Sequence, residues 1–298
     1  MCYKKTMFLV LGSKGYVGSK FYHFLSQKGS EVIGISRSEI DYTNPKILKE
    51  FLKSIKPGFL INAAGYTGKP NVDACELAKT DCFDGNAVLP GTIRQVCEDL
   101  KITWGHLSSG CIYSGRGPDG DGWKEEDEPN FSFRSPPCSF YSGTKALGEE
   151  MLEGAENCYI WRLRIPFNEE THPRNYLQKL LNYEWLLNAE NSVSHLDEFV
   201  EKSIESLKNE VSPGIYNMTN LGSITTRQVT DWMVDEGVTE KEFKFFENEN
   251  HFMENAARTP RSNCVLDTSK AERAGIGMRP VEEVMRETMR KMILEVSL

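Results

Sequence analysis

The chain has 298 residues, of which 39% are hydrophobic and 26% charged, and its formal net charge is −8. That length suits one large α/β unit or a main domain with a smaller annex, and an acidic balance without a Lys/Arg run argues against a nucleic-acid binder. The eight cysteines form no CxxC pair and no zinc spacing, and the apolar run Met7 to Leu11 is too short for a membrane span or signal core. A cytoplasmic protein with reduced thiols, no metal and no membrane attachment is expected.

Thr6 to Leu11 is a continuous apolar run, as expected of a parallel strand covered on both faces. Gly12-Ser13-Lys14-Gly15-Tyr16-Val17-Gly18 follows, and then a helical pattern stopped by Gly29. Strand, glycines and helix in that order predict a dinucleotide site: a tight turn, a close backbone approach to pyrophosphate, and free N–H groups at the helix start. The cofactor candidates here are Gly12, Lys14, Gly15, Tyr16, Val17 and Gly18. A second strand, Glu31 to Ser36, ends in Ser36-Arg37-Ser38, with no acid before Glu39. A basic residue there suits a ribose 2′-phosphate, so Arg37 favours NADPH over NADH.

After a helical stretch from Pro45 to Lys56, the strand Phe59 to Ala64 leads into Asn62-Ala63-Ala64-Gly65, small residues beside which a cofactor could lie. A long helical stretch from Val72 to Leu100 is interrupted near Gly85, and Asn86 within it is a candidate to bind backbone. The strand Ile102 to Leu107 ends in Ser108-Ser109-Gly110-Cys111. Tyr113 to Pro137 has no period, and an insertion of that length predicts a functional lid. The next helix carries Tyr141-Ser142-Gly143-Thr144-Lys145, and a strand follows from Cys158 to Leu163.

Positions four apart share a helix face, so Tyr141 and Lys145 point at the same spot. A phenol with its pKa lowered by a nearby ammonium can give a proton to a carbonyl oxygen. The alternation up to residue 165 predicts a Rossmann-type doubly wound parallel sheet over residues 1–165. Residues 166–298 read as a smaller, discontinuous substrate-binding region, some segments of which return to the sheet. Its helices and strands are expected at Asn175 to Tyr183, Leu196 to Lys208, Gly214 to Met218, Thr225 to Glu236 and Val281 to Glu295.

Taken together, the glycine turn, NAAGYTGKPNVDACE, SSGCIY, FYSGTKALGEE, LRIPF, HPRNYLQK and PRSNCVLD resemble the nucleotide-rhamnose synthase/epimerase-reductase enzymes. These are extended short-chain dehydrogenases/reductases similar to dTDP-4-dehydrorhamnose reductases. The resemblance implies conversion of UDP-4-keto-6-deoxy-D-glucose to UDP-L-rhamnose by 3,5-epimerisation and NADPH-dependent reduction at C4. It also implies that Tyr141 protonates the C4 oxygen, that Lys145 holds the nicotinamide ribose, and that Ser109 hydrogen-bonds the ketone. Cys111 and Lys179 fall on the positions of the epimerase acid/base pair. For the diphosphate, Arg261 and then Arg258 are the candidates, because a guanidinium fork suits phosphate oxygens. Asn175 and Asn263 are further substrate candidates.

The chemistry is self-consistent, because C3 and C5 flank the C4 ketone and their protons are acidic only while that ketone exists. Epimerisation must therefore precede reduction. Two rivals stay open: a reductase acting alone on a sugar already epimerised, and a non-catalytic nucleotide-binding regulatory subunit. The choice between UDP and dTDP is open as well. The resemblance allows a homodimer, and it names a nucleotide-sugar 4,6-dehydratase as pathway partner.

Overall fold

A computed structural model describes residues 6–209 and 211–296; Cys2 lies outside them. The first half of the chain alternates strand and helix: β1 (Phe8–Leu11), α1 (Tyr16–Gln27), β2 (Val32–Ile35), α2 (Pro45–Ile55) and β3 (Phe59–Asn62). Then come the short α3 (Lys79–Phe83), α4 (Leu89–Leu100), β4 (Thr103–Ser109), α5 (Phe140–Glu150) and β5 (Cys158–Leu163). All of these strands are parallel, and so is the edge strand Gly214–Asn217, which pairs with β5. The six-stranded sheet runs from that edge strand through β5, β4, β3 and β1 to β2.

Side chains alternate across the sheet, which is why the strands read as unbroken apolar runs. Val10, Phe59 and Ile61 face a core completed by Phe21 and Leu25 of α1. Leu9, Leu11 and Leu60 face the opposite core, with Leu48 and Leu52 of α2 and Ile93 and Val96 of α4. Helices thus cover both faces. Because β1 pairs with β2 on one side and β3 on the other, the chain reverses direction at β1. The crevice beyond the carboxyl ends of β1 and β3 is where such sheets receive ligands.

The second half forms α6 (Tyr176–Asn182), α7 (Leu196–Lys208) and α8 (Thr226–Asp235), with several two-residue strands and a last helix, Val281–Val296. A separate core gathers Phe167, Leu177, Leu180, Val229, Met233, Met285 and Met289. Residue 165 is not a clean boundary between the cores. Leu196, Phe199, Val200 and Ile204 of α7 belong to the sheet's core beside α1, and Gly214–Asn217 completes the sheet.

The stretch expected to be one interrupted helix contains a π-helical turn, Asp84–Val88, between α3 and α4. Its cause is local. Pro90 has no N–H to return to the carbonyl of Asn86, and α5 crosses there so closely that a Cβ at Gly148 would lie 2.1 Å from that oxygen. The insertion expected to be a lid is instead stapled down. Gly115 N–H donates to the Asn263 carbonyl at 2.7 Å, Trp123 N–H to Val265 at 2.8 Å, and Asp267 N–H to Trp123 at 2.9 Å. Tyr113 stacks on Trp123 with ring centroids 5.1 Å apart. The three hydrogen bonds join residues more than a hundred positions apart, so local periodicity does not reveal them.

Candidate active site

The loop after β1 is built for close approach. Gly12 has φ +75°, and a Cβ there would meet the Ala64 nitrogen at 2.8 Å. A Cβ at Gly18 would come within 2.2 Å of the Gly12 carbonyl, so α1 rests directly on the turn. The helix N-cap is Gly15, with no side-chain cap, and this leaves first-turn N–H groups for an anion. A cavity of ≈ 220 Å³ is lined here by Gly12, Lys14, Gly15, Ser36, Arg37 and Ala64, among others. Glycines, uncapped amides and cations at its rim fit a dinucleotide.

Several expected cofactor residues present no side chain to the cavity. Tyr16, Val17 and Gly18 do not line it, and what they offer an anion is the N–H groups of the helix's first turn. Tyr16 turns away to donate to Asn168 Oδ1 at 3.2 Å and stack on His172 at 4.2 Å. Val17 packs against the sheet's core. Asn62 is fully buried. Its oxygen accepts from Ala64 N–H at 3.1 Å, and its nitrogen meets Nδ1 of His106, its register partner on β4, at 3.0 Å. Asn62 therefore shapes the turn that presents Ala63 and Ala64 and does not touch the cavity.

At the rim, Lys14 lies 3.1 Å from Glu39, whose carboxylate also accepts from Ser36 N–H at 2.8 Å. The Ser36 hydrogen bonds and Lys14 hold Glu39 down at about 2. Arg37 lines the same rim. Arg37→Ala should raise the KM for NADPH roughly tenfold, the loss of about one charge-assisted hydrogen bond, and leave the KM for NADH nearly unchanged. Parallel titrations of initial rate with the two cofactors check this, and an equal rise for both would remove Arg37 as the discriminator.

Asn86, in the π-turn, clamps the loop that follows β3. Its Oδ1 accepts from Tyr66 N–H at 2.9 Å, and its Nδ2 donates to the Tyr66 carbonyl at 2.8 Å. Helix α5 is capped by Ser139, whose Oγ accepts from Ser142 N–H at 3.1 Å. Glu76 Oε1 takes the Phe140 N–H at 2.7 Å. The face carrying Tyr141, Lys145 and Glu149 turns toward β4 and β5. Lys145 Nζ donates to the Leu107 carbonyl at 3.1 Å. Glu149, one turn on, forms a buried ion pair with Arg162 of β5 at 2.7 Å. Removing one partner of such a pair leaves a charge stranded, so the pair fixes α5 on the sheet.

Tyr141, Ser109 and Cys111 meet at the end of β4. Ser109 Oγ accepts from Cys111 N–H at 3.3 Å and acts by hydrogen bonding on both the Tyr141 phenol and the Cys111 thiol. Burial pushes the phenol well up, the Cys111 sulfur adds to this, and Ser109 opposes it. The expected lowering of the phenol by Lys145 is not what this arrangement produces. Burial instead lowers the ammonium of Lys145, which rests on a backbone carbonyl. Burial also raises Cys111, against the pull of Ser109 and Arg164. Near neutral pH both the phenol and the thiol therefore carry their protons. The Lys145 nitrogen also lies 3.6 Å from where a Cβ would stand at Gly65, which lines the cavity.

Lys179 projects from α6, partly buried, and its ammonium is lowered by burial and by the guanidiniums of Arg174 and Arg261. Other expected substrate residues have partners within the chain. Asn175 is fully buried; it caps α6 through Leu177 N–H at 3.1 Å and donates to the Asn168 and Glu170 carbonyls, each at 2.7 Å. Asn263 accepts from Asn191 at 3.2 Å. Arg258 meets Asp73 through its backbone N–H at 3.2 Å, and Arg261 grips the Asp73 carboxylate at 2.8 and 2.7 Å. Sequence reasoning missed Arg174, which bonds Thr67 Oγ1 and the Gly68 carbonyl across the cleft. It stood one position before Asn175 in the same string. No helix among the described residues is long and apolar enough to cross a membrane.

The model of the RmlD substrate binding domain matches residues 6–294. A bifunctional dTDP-4-dehydrorhamnose 3,5-epimerase/dTDP-4-dehydrorhamnose reductase of Arabidopsis thaliana is 34% identical over 272 residues, 88% of this chain and 85% of that protein. A trifunctional UDP-glucose 4,6-dehydratase/UDP-4-keto-6-deoxy-D-glucose 3,5-epimerase/UDP-4-keto-L-rhamnose-reductase of the same plant is 34% identical over 89% of this chain, which spans only 39% of its length. Among solved structures, the L780 UDP-rhamnose synthase of Acanthamoeba polyphaga mimivirus superposes with a TM-score of 0.88 at 24% identity, covering 96% of this chain and 99% of that one. That likeness is one of fold.

Proposed function

Because this chain belongs to the RmlD substrate binding domain family, we propose that it is a bifunctional 3,5-epimerase/4-keto-reductase. It converts UDP-4-keto-6-deoxy-D-glucose to UDP-L-rhamnose with NADPH. The observation that carries this reading is the meeting of Tyr141, Ser109 and Cys111 at the end of β4, with Lys145 reaching from the same helix face toward Gly65 in the cavity wall. NADPH supplies the hydride. Residues 1–165 hold the cofactor and residues 166–298 mainly hold the sugar nucleotide, while α7 and Gly214–Asn217 return to the sheet.

The directions of the pKa shifts divide the labour. Lys179, lowered, is suited to take a proton from carbon, and Cys111, raised, is suited to give one back on the other face. Tyr141 and Ser109 stabilise the developing charge on the C4 oxygen while C3 and C5 invert. Tyr141 then gives its proton to that oxygen as C4 is reduced, and Ser109, whose hydrogen bond favours the ionised phenol, supports the phenolate left behind.

The substrate has already lost its C6 hydroxyl and gained a C4 ketone, so a nucleotide-sugar 4,6-dehydratase must precede this enzyme. The seven free cysteines of the described residues suit the cytoplasm. Loss of NADPH absorbance with UDP-4-keto-6-deoxy-D-glucose as sole substrate tests the reading. Turnover only with the sugar already epimerised would leave a reductase alone, and turnover with neither sugar would sink the enzyme reading.

A further inference from the structure

The cleft side of the second half is crowded with cations. Arg174 and Arg261 both lie close enough to Lys179 to lower its ammonium. Arg174 is held only by neutral oxygens among its recorded hydrogen-bond partners, Thr67 Oγ1 and the Gly68 carbonyl. Arg261 has one recorded carboxylate, Asp73, and grips both of its oxygens from a part-buried position. The ring of Phe252 lies 5.6 Å from the same guanidinium. A planar fork closed on two coplanar oxygens is the geometry a guanidinium also uses on a phosphate.

We propose that Asp73 is a built-in stand-in for the substrate's diphosphate, occupying Arg261 until the nucleotide arrives at a seat formed by Arg174 and Arg261. This deepens the functional reading above and rests on it. One carboxylate offsets only part of the charge of Arg174 and Arg261. A diphosphate spans two guanidiniums and brings more negative charge, so it displaces the carboxylate and gains the contact with Arg174 that Asp73 lacks.

The exchange has a mechanical consequence. Asp73 belongs to the 3-10 turn Val72–Glu76, whose other end, Glu76, accepts from Phe140 N–H at the start of α5. Freeing Asp73 loosens the near end of a segment whose far end caps the helix bearing Tyr141 and Lys145. A sugar lacking the diphosphate would not release it. Occupancy of the seat is thereby reported to the catalytic helix, and Asp73 sets a threshold that weakly charged ligands do not pass.

The test uses the full chain loaded with NADP+ and calorimetric titration with UDP, and with dTDP in parallel. Asp73→Asn keeps the shape and removes the charge, and Asp73→Ala is the second variant; thermal unfolding confirms that each is folded. Both should bind UDP roughly three- to tenfold more tightly than the parent, because a competing ion pair has gone. Arg174→Ala and Arg261→Ala should each weaken binding by about tenfold or more. Amide exchange over residues 72–76 should quicken when UDP binds the parent and be fast already in D73N. If D73N and D73A bind UDP equally or more weakly, Asp73 merely orients Arg261 and the stand-in is refuted, with the functional reading intact. A parent chain that binds neither UDP nor dTDP overturns both.

Discussion

Tyr141→Phe is expected to lower kcat for C4 reduction by roughly a hundred- to ten-thousandfold, the range for losing a positioned general acid. The substitution removes one oxygen. Helix α5 keeps its Ser139 cap, its Glu76 bond to Phe140 N–H and its Glu149–Arg162 pair, so the fold and the glycine cradle stay as they are. NADPH binding, followed by fluorescence, should change little, and the loss should fall on kcat with a small effect on KM. Single-turnover kinetics read this directly. A variant retaining most of the parent rate would mean that another group, with the phenol's hydrogen-bond partner Ser109 the first candidate, delivers the proton.

Lys179→Met and Cys111→Ser should each reduce proton exchange at C3 and C5 by about a hundredfold or more. Reduction of a sugar supplied already epimerised should continue at a rate close to the parent's. The pH profile of exchange carries the signs of the shifts. Lys179 must be neutral to take a proton, so exchange falls as the pH drops through its lowered pKa. Cys111 must be protonated to give one, so exchange falls again as the pH rises through its raised pKa. In K179M the acid limb disappears, and in C111S the alkaline limb disappears. Deuterium incorporation by NMR, measured across pH, checks both. Equal loss of exchange and reduction in both variants would instead point to a damaged substrate site.

The parts legible in the sequence are those written in consecutive residues. β1 and its glycines announced themselves because both faces of the strand are buried and because no side chain fits at Gly12 or Gly18. Tyr141 and Lys145 could be set on one face because helical spacing fixes it. The break near Gly85 was visible as composition, but its form, a π-turn pressed by Gly148 of α5, depends on a helix distant in sequence. The same reason hid the staples between Gly115 or Trp123 and residues 263–267, and the return of α7 to the first core.

Polar residues were harder to read than apolar ones. Asn175 and Arg174 are neighbours with equal claims on a phosphate or sugar by residue type. Asn175 proves to be a buried helix cap, while Arg174 crosses the cleft. Arg261 kept its position beside the cleft, but nothing in the sequence paired it with Asp73. A polar side chain's role is set by which partners the fold brings within hydrogen-bond reach, and neither spacing nor composition encodes that.

The most direct measurement is made on the unaltered enzyme with the keto sugar in deuterated water and no cofactor. Deuterium should appear at both C3 and C5, and NADPH added afterwards should convert the labelled sugar to a rhamnose reduced at C4. If neither carbon exchanges while a sugar already inverted at C3 and C5 is still reduced, the thiol and the amine do no chemistry on carbon and the two-step account is wrong.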